Sequence, residues 1–254
     1  MITGASSGLG AIFAEQLATR GLSLVLTGRD QPRLAAVRER VRRIAPDVGV
    51  ELVLADLGTD SGVDDLLSHL DGRDVELLIN NAGFGTYGPL AEADVCRERD
   101  LVAVNVDALV RLTGAVLPPM VARGAGGILN VASTIAFQPA PYQASYGASK
   151  AFVLSFSQAL WAETRGSGVT VTALCPGPTA TGFVDALGSD VSHTTIYRHL
   201  AAPEPVVAAG LRGLDKGRAA VIPGLRNKLV AYSGRFTPGS VNALIGARLL
   251  QPQR

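Results

Sequence analysis

TGASSGLG, residues 3–10, runs directly into the apolar-periodic AIFAEQLATR of residues 11–20, and the fold can be read outward from this junction. Glycines at Gly4, Gly8 and Gly10 permit a tight turn and let an anionic group approach bare backbone amides at the positive end of the helix that follows. A glycine-rich turn alone is weak evidence. Its weight comes from standing before the first helix of an alternating strand and helix pattern. Only Met1 and Ile2 precede the turn, where a central strand of roughly five residues is usual, so either the true start lies upstream of Met1, which is the favoured expectation, or the first strand is a stub.

The alternation continues along the chain. Short apolar runs SLVLTG (23–28), VELVLAD (50–56), VELLINN (75–81), GILNVAS (127–133) and VTVTALC (169–175) read as buried parallel strands, apolar on both faces. Between them RLAAVRERVRRI (33–44), the stretch from Glu92 to about Arg123 and AFVLSFSQALWAE (151–163) have helical spacing. This is the doubly wound α/β signature: a Rossmann-like parallel sheet between two helical layers, with right-handed crossovers. After Pro176 the rhythm weakens. Residues 179–204, rich in small and polar types, read as a substrate loop; RAAVIPG (218–224) reads as a last strand; a helical extension is expected over about 225–254.

With 254 residues, 47% hydrophobic and 18% charged, the chain is long enough for one continuous core and far from the composition of disorder. A single domain over 1–254 is expected. The formal charge is +1, so overall electrostatics favour neither a nucleic-acid nor an anionic-membrane partner. Two separated cysteines, Cys96 and Cys175, imply neither a disulfide scaffold nor a zinc site, and a reduced cytoplasmic protein fits. The N-terminus lacks the features of a secretory signal, and no apolar stretch approaches 18 uninterrupted residues. His69, His193 and His199 lack ligand spacing, so no metal is expected.

Tyr146 and Lys150 stand four apart in YGASK and share one helix face. Bringing a tyrosine from a pKa of ~10 toward ~7 takes about 4 kcal/mol, which is what one positive charge at ~4 Å supplies at an effective dielectric near 20. On the plainer reading they are a surface Tyr and a solvated Lys. Ser133 ends a strand at its carboxyl edge, where open α/β sheets bind ligands. NNAG (80–83) closes another strand. Asn105 lies inside a helical pattern, where its amide needs a partner whether its role is structural or functional.

Together these pieces resemble the short-chain dehydrogenase/reductase family over roughly residues 1–185, in TGASSGLG, Asp56, NNAG, Asn105, Ser133, YGASK and PGPTAT (176–181), with NAGFGTYGP and LNVASTIAFQP closest to bacterial carbonyl and ketoacyl-type reductases. The resemblance implies that Gly4, Ser6, Ser7, Gly8, Leu9 and Gly10 line a pyrophosphate, that Asp56 and Leu57 hold the adenine, and that Asn81, Ala82 and Gly83 border its ribose. It implies Tyr146 as general acid, Ser133 on the carbonyl oxygen, Lys150 on the nicotinamide ribose while lowering the Tyr146 pKa, and Asn105 supporting a water relay. Pro176, Gly177, Thr179 and Thr181 would position the carboxamide.

At the end of the second strand, LTGRD, Gly28 and then Arg29 replace the acidic residue that would bond a ribose 2′-hydroxyl, which favours NADP(H) over NAD(H). Asp30 turned inward would reverse that preference. The leading expectation is an NADP(H)-dependent oxidoreductase acting on an apolar ketone, aldehyde or secondary alcohol, its pocket built with Phe84, Phe137, Tyr142 and Phe183. The alternative is a non-catalytic dinucleotide-binding sensor or scaffold on the same fold. A homodimer or tetramer is implied through helices 97–123 and 147–165, where Ala148, Ala151, Ser155 and Ala159 suit close packing. Arg212, Arg218, Arg226, Arg235 and Arg248 with the amphipathic tail leave a weak peripheral membrane contact open, although basic residues interspersed with Gly and Pro more often form a solvated face.

Overall fold

The computed structural model describes residues 1–183, 187, 194, 197, 200–234 and 237–251. Seven parallel strands form one sheet: β1 (Ile2–Thr3), β2 (Leu24–Gly28), β3 (Val50–Leu54), β4 (Leu77–Asn80), β5 (Gly126–Val131), β6 (Val169–Leu174) and β7 (Ala220–Val221), in the order β3-β2-β1-β4-β5-β6-β7. The expected Rossmann-like α/β class is what the chain forms. Winding runs outward from β1 to β3 and then restarts at β4, so the crevice between the carboxyl ends of β1 and β4 is the topological switch point where such sheets bind ligands.

Three helices, α1 (Gly8–Ala18), α2 (Gln31–Ile44) and α7 (Pro203–Asp215), cover one face, where Phe13, Leu17, Leu34, Val41 and Leu211 pack on Ile2, Leu26 and Leu129. On the other face α3 (Asp60–Leu70), α5 (Ala108–Arg123) and α6 (Ala144–Glu163) bury Leu66, Leu112, Met120 and Leu160 against Leu78, Ile128 and Val171. Strand neighbours such as Leu78 and Ile79 go to opposite layers, as a two-faced buried strand requires. β3 differs from the expectation: it is an edge strand, and Glu51 and Leu54 face solvent because no strand lies beyond it.

Helix starts follow local chemistry. The Asp30 carboxylate accepts from Arg33 N at 2.9 Å and the Thr59 hydroxyl from Gly62 N at 3.1 Å, each satisfying an amide that the first helical turn leaves free. The stretch expected to be helical from Glu92 begins with α4 (Val95–Val102), passes through a π-turn at Ala103–Asp107 and continues as α5. By length and composition alone, Val95–Arg123 is long and apolar enough to cross a membrane, but here its inner face is buried against the sheet. The weak periodicity after Pro176 concealed α7; α8 (Leu225–Ser233) and α9 (Gly239–Leu249) fall within the helical extension expected over about 225–254. Much of loop 179–204, including His193 and His199, lies outside the described residues, as does Arg235. The loop's base is pinned by Ala180 N donating to Ala201 O and Ala201 N to Pro178 O, at 2.8 and 2.9 Å.

Candidate active site

The TGASSGLG turn meets NNAG across the switch point. Asn81 Nδ2 donates to Thr3 O at 2.9 Å and Gly4 O at 3.1 Å, while Thr3 Oγ1 accepts from Asn81 N and Ala82 N, both at 2.9 Å. These bonds leave no room for side chains. A Cβ at Gly10 would lie 2.3 Å from Gly4 O, and one at Gly4, whose φ is +61°, would lie 2.8 Å from Ala82 Cα. Gly8, also left-handed, faces Thr181, and Ser6 approaches Gly28. Ser7 sits at the start of α1 without a side-chain cap bond, leaving the first amides of that helix unclaimed by it. A cradle of bare amides at a helix N-terminus fits a diphosphate.

Beside it lies a groove of about 300 Å³ lined by Arg29, Asp56, Gly58, Thr59, Phe84, Arg97, Asp100 and Val104. Arg29 is 73% exposed with Nη1 3.8 Å from Asp56 Oδ2, and Leu57 is buried beneath. Asp30 does not turn inward: it caps α2 and pairs with Arg33 at 3.3 Å. The inward acid that would have reversed the cofactor preference is therefore engaged elsewhere.

One crevice wall carries the remaining residues. Ser133 follows β5, and its Oγ lies 3.5 Å from Pro176 O. Tyr146 and Lys150, both buried, occupy the first turns of α6. Lys150 Nζ donates to Val131 O at 2.8 Å and lies 5.9 Å from the Tyr146 ring centroid. Asn105 sits within the π-turn, a feature common at functional sites. Its Oδ1 accepts from Phe84 N at 3.1 Å, and its Nδ2 donates to Phe84 O and Ser149 Oγ, both at 3.0 Å. A Cβ at Gly83 would lie 2.8 Å from Asn105 Oδ1 and 3.4 Å from Lys150 Nζ, so glycine is what lets NNAG close on this wall. Thr179 Oγ1 donates back to Gly177 O at 2.8 Å, and Gly177 packs on Asn227 of α8.

The electrostatics correct one expectation. Burial first and Tyr197 second hold the Tyr146 phenol well above its ordinary value, opposed by a hydrogen bond with Ser133; Lys150 is not the dominant influence. Burial brings Lys150 itself down to about 8, with nearby Cys175 opposing, and pushes the Cys175 thiol up to about 12. The reason is burial: both groups are taken out of water, and that desolvation outweighs their mutual charge with Lys150 Nζ 5.9 Å from the Tyr146 ring centroid.

Sequence reasoning missed several neighbours. Gln143, buried at the start of α6, accepts from Tyr197 at 3.2 Å. The Tyr87 hydroxyl donates to Leu250 O at 2.7 Å, tying the tail to the loop after β4. A buried ladder runs from Asn80 Nδ2 to Thr113 Oγ1 (3.0 Å) and Asn130 Oδ1 (2.9 Å), then from Asn130 Nδ2 to Ser157 Oγ (2.9 Å), joining β4, β5 and α6. Asn80 was legible in NNAG; its partners carry no local signal. Among the described residues no three His, Cys, Asp or Glu side chains converge as metal ligands.

A glycine cradle thus lies at the switch point, where open α/β sheets bind ligands, and Ser133, Tyr146, Lys150 and Asn105 stand on the facing wall. The short chain dehydrogenase profile matches residues 1–192, and the chain belongs to that family. It is 35% identical over 204 residues to sulfoacetaldehyde reductase 2 of Chromohalobacter salexigens, covering 78% of this chain and 80% of the relative. Among solved structures, the short-chain dehydrogenase from Sphingobium yanoikuyae in complex with NADPH is 36% identical with a TM-score of 0.82, over 100% of this chain and 94% of that one. The bulky-bulky ketone specific alcohol dehydrogenase from Comamonas testosteroni is 31% identical with a TM-score of 0.78, over 100% and 93%. The chain is thus an oxidoreductase of carbonyl and alcohol substrates, and the non-catalytic sensor reading gains no support from these relatives.

Proposed function

We propose that this protein is an NADPH-dependent reductase of an apolar ketone or aldehyde, with Tyr146 as proton donor. The observation that carries the cofactor choice is the division of labour at LTGRD: Asp30 is fixed as the α2 cap, while the exposed Arg29 guanidinium overlooks the groove. Its planar fork suits a 2′-phosphate. Gly4, Ser6, Ser7, Gly8, Leu9 and Gly10 would hold the pyrophosphate, Asp56 and Leu57 the adenine, Asn81, Ala82 and Gly83 its ribose, Lys150 the nicotinamide ribose, and Pro176, Gly177, Thr179 and Thr181 the carboxamide. The bound dinucleotide supplies hydride.

What the chain itself contributes is placement and proton handling. Ser133 and Tyr146 donate to the carbonyl oxygen, where negative charge grows during reduction, and being preorganised they need no rearrangement as it does so. Burial keeps the Tyr146 phenol protonated, the form from which a general acid donates. Asn105 holds the NNAG loop against α6 through Phe84 and Ser149. The Phe183 ring, 5.2 Å from that of Tyr146, supports an apolar substrate. The relative named for a bulky-bulky ketone agrees with that class.

One domain with its substrate loop at 179–204, cytoplasmic location and a homodimer complete the proposal. The outer face of α6 exposes Ala148, Ala151, Phe152, Ser155 and Ala159, which suits a close helical seam. Following NADPH absorbance with a panel of ketones and aldehydes tests the reading in wild type and Tyr146→Phe. Substrate-dependent oxidation that falls at least a hundredfold in the variant, with NADPH binding retained, supports it; equal rates in both sink it. Light scattering at micromolar concentration checks the dimer.

A further inference from the structure

The charge of this chain is distributed in an unusual way. Residues 1–215 hold all 22 acidic residues and 16 of the 23 basic ones, whereas residues 216–254 hold seven basic residues, Lys216, Arg218, Arg226, Lys228, Arg235, Arg248 and Arg254, and no acid. A net charge of +1 conceals this polarity. Of the seven, Lys216, Arg218, Arg226, Lys228 and Arg248 are described, and all five are exposed.

The same segment presents apolar side chains to solvent. On α8, Leu225 is 74% and Leu229 66% exposed, one turn apart and flanked by Arg226 and Lys228. On α9, Val241, Leu244, Ile245 and Leu249 recur at helical spacing, with Leu244 at 69%, and the helix buries no side chain. Spacing of i, i+3, i+4 and i+8 places these four on one stripe, and Arg248 borders it. The two helices are nevertheless anchored. Tyr232 of α8 packs edge-on against Phe137 at 5.9 Å, Asn242 Nδ2 donates to Gly234 O at 3.0 Å, and Leu250 O accepts from Tyr87.

We infer that the α8–α9 face docks on the surface of an anionic lipid bilayer, with the leucines and Ile245 entering the acyl boundary and the basic side chains reaching the headgroups. Arg226, Lys228 and Arg248, with no acid on either helix, beside exposed branched apolar residues are complementary to that surface. A second copy of the chain fits less well, because twofold pairing of these two helices would set basic residues against basic residues with no acid on either helix. A nucleic-acid backbone would engage the charges and leave the apolar stripe in water. The contacts of α8 with Phe137 place the docked face beside the segment that follows Ser133, so the cleft would open toward the membrane. The inference does not depend on which carbonyl is reduced.

The test is sedimentation of the full-length protein with vesicles of phosphatidylcholine alone or with 30% phosphatidylserine, in 0.15 M salt. Retention on the anionic vesicles, weakened by high salt, is expected. Arg226→Gln/Lys228→Gln/Arg248→Gln should lower partitioning by roughly a hundredfold, at about fivefold per charge. Leu229→Glu/Leu244→Glu should abolish it, while the melting curve and turnover of a water-soluble substrate are unchanged. Protein that stays in the supernatant with both vesicle types overturns the inference. So does equal binding by the charge-neutralised variant, or a concentration-dependent oligomer that Leu244→Glu dissolves without any vesicle binding.

Discussion

Replacing Lys150 with methionine should make the protein more stable and inactive. The ammonium is buried, and its pKa falls from 10.5 to about 8, chiefly by desolvation. That shift corresponds to roughly 3 kcal/mol. Below pH 8 both native and unfolded chains carry the proton, and the native state bears the whole cost. Between pH 8 and 10.5 the native chain has released it while the unfolded chain still holds it, so stability rises with pH; above 10.5 the effect is complete. Methionine keeps the stem and removes the charge, but leaves Val131 O without its 2.8 Å donor, at a cost of about 1 kcal/mol. The net gain at pH 7 is therefore about 2 kcal/mol, or roughly 4–8 °C in melting temperature for a chain of this length. Urea unfolding of wild type and Lys150→Met, without added dinucleotide, measures it at pH 7 and pH 10.5. A variant no more stable at pH 7, or a gap of the same size at both pH values, would refute the reasoning.

Other substitutions probe the remaining parts of the site. Arg29→Ala should weaken NADPH binding about tenfold or more and leave NADH within about twofold, read by fluorescence titration of each dinucleotide. Asp30→Ala should lower the melting temperature by about 2–4 °C through loss of the α2 cap while the NADPH to NADH preference stays put; a marked gain in that preference would mean the carboxylate faces the groove after all. Gly83→Ala drives a methyl toward Asn105 Oδ1 and Lys150, so kcat/KM should drop at least tenfold with an unchanged far-UV spectrum. Asn130→Leu strands the Asn80 and Ser157 partners and should cost about 2–4 kcal/mol in chemical denaturation.

The parts of this molecule that repeat a local pattern were legible in the sequence. Strands β2 to β7 were found within a few residues because each apolar run is short and bounded, and the Gly4, Gly8 and Gly10 turn announced itself by spacing, whereas β1 is only Ile2–Thr3 and has no such run. What escaped was nonlocal. Helix α7 follows a stretch rich in small and polar residues that masks periodicity, and its packing against α1 decides it. The site divided the same way: type and order singled out Tyr146, Lys150, Ser133 and Asn105, which the fold brings to one wall, but the dominance of burial at Tyr146 could not be read, because it depends on what packs around the phenol. Asp30 is the sharpest instance. Its identity left open whether the carboxylate turns inward, and its hydrogen bond from Arg33 N shows it as the α2 cap.

The two cysteines supply an internal clock. Cys96 lies exposed at the start of α4, whereas Cys175 sits sealed beside Lys150 with its thiol held far above the pH at which thiolates form. An alkylating reagent at neutral pH will label the first at once and the second only when the crevice wall opens. Counting the slower label by mass therefore times the breathing of that crevice wall, with no probe engineered into the chain.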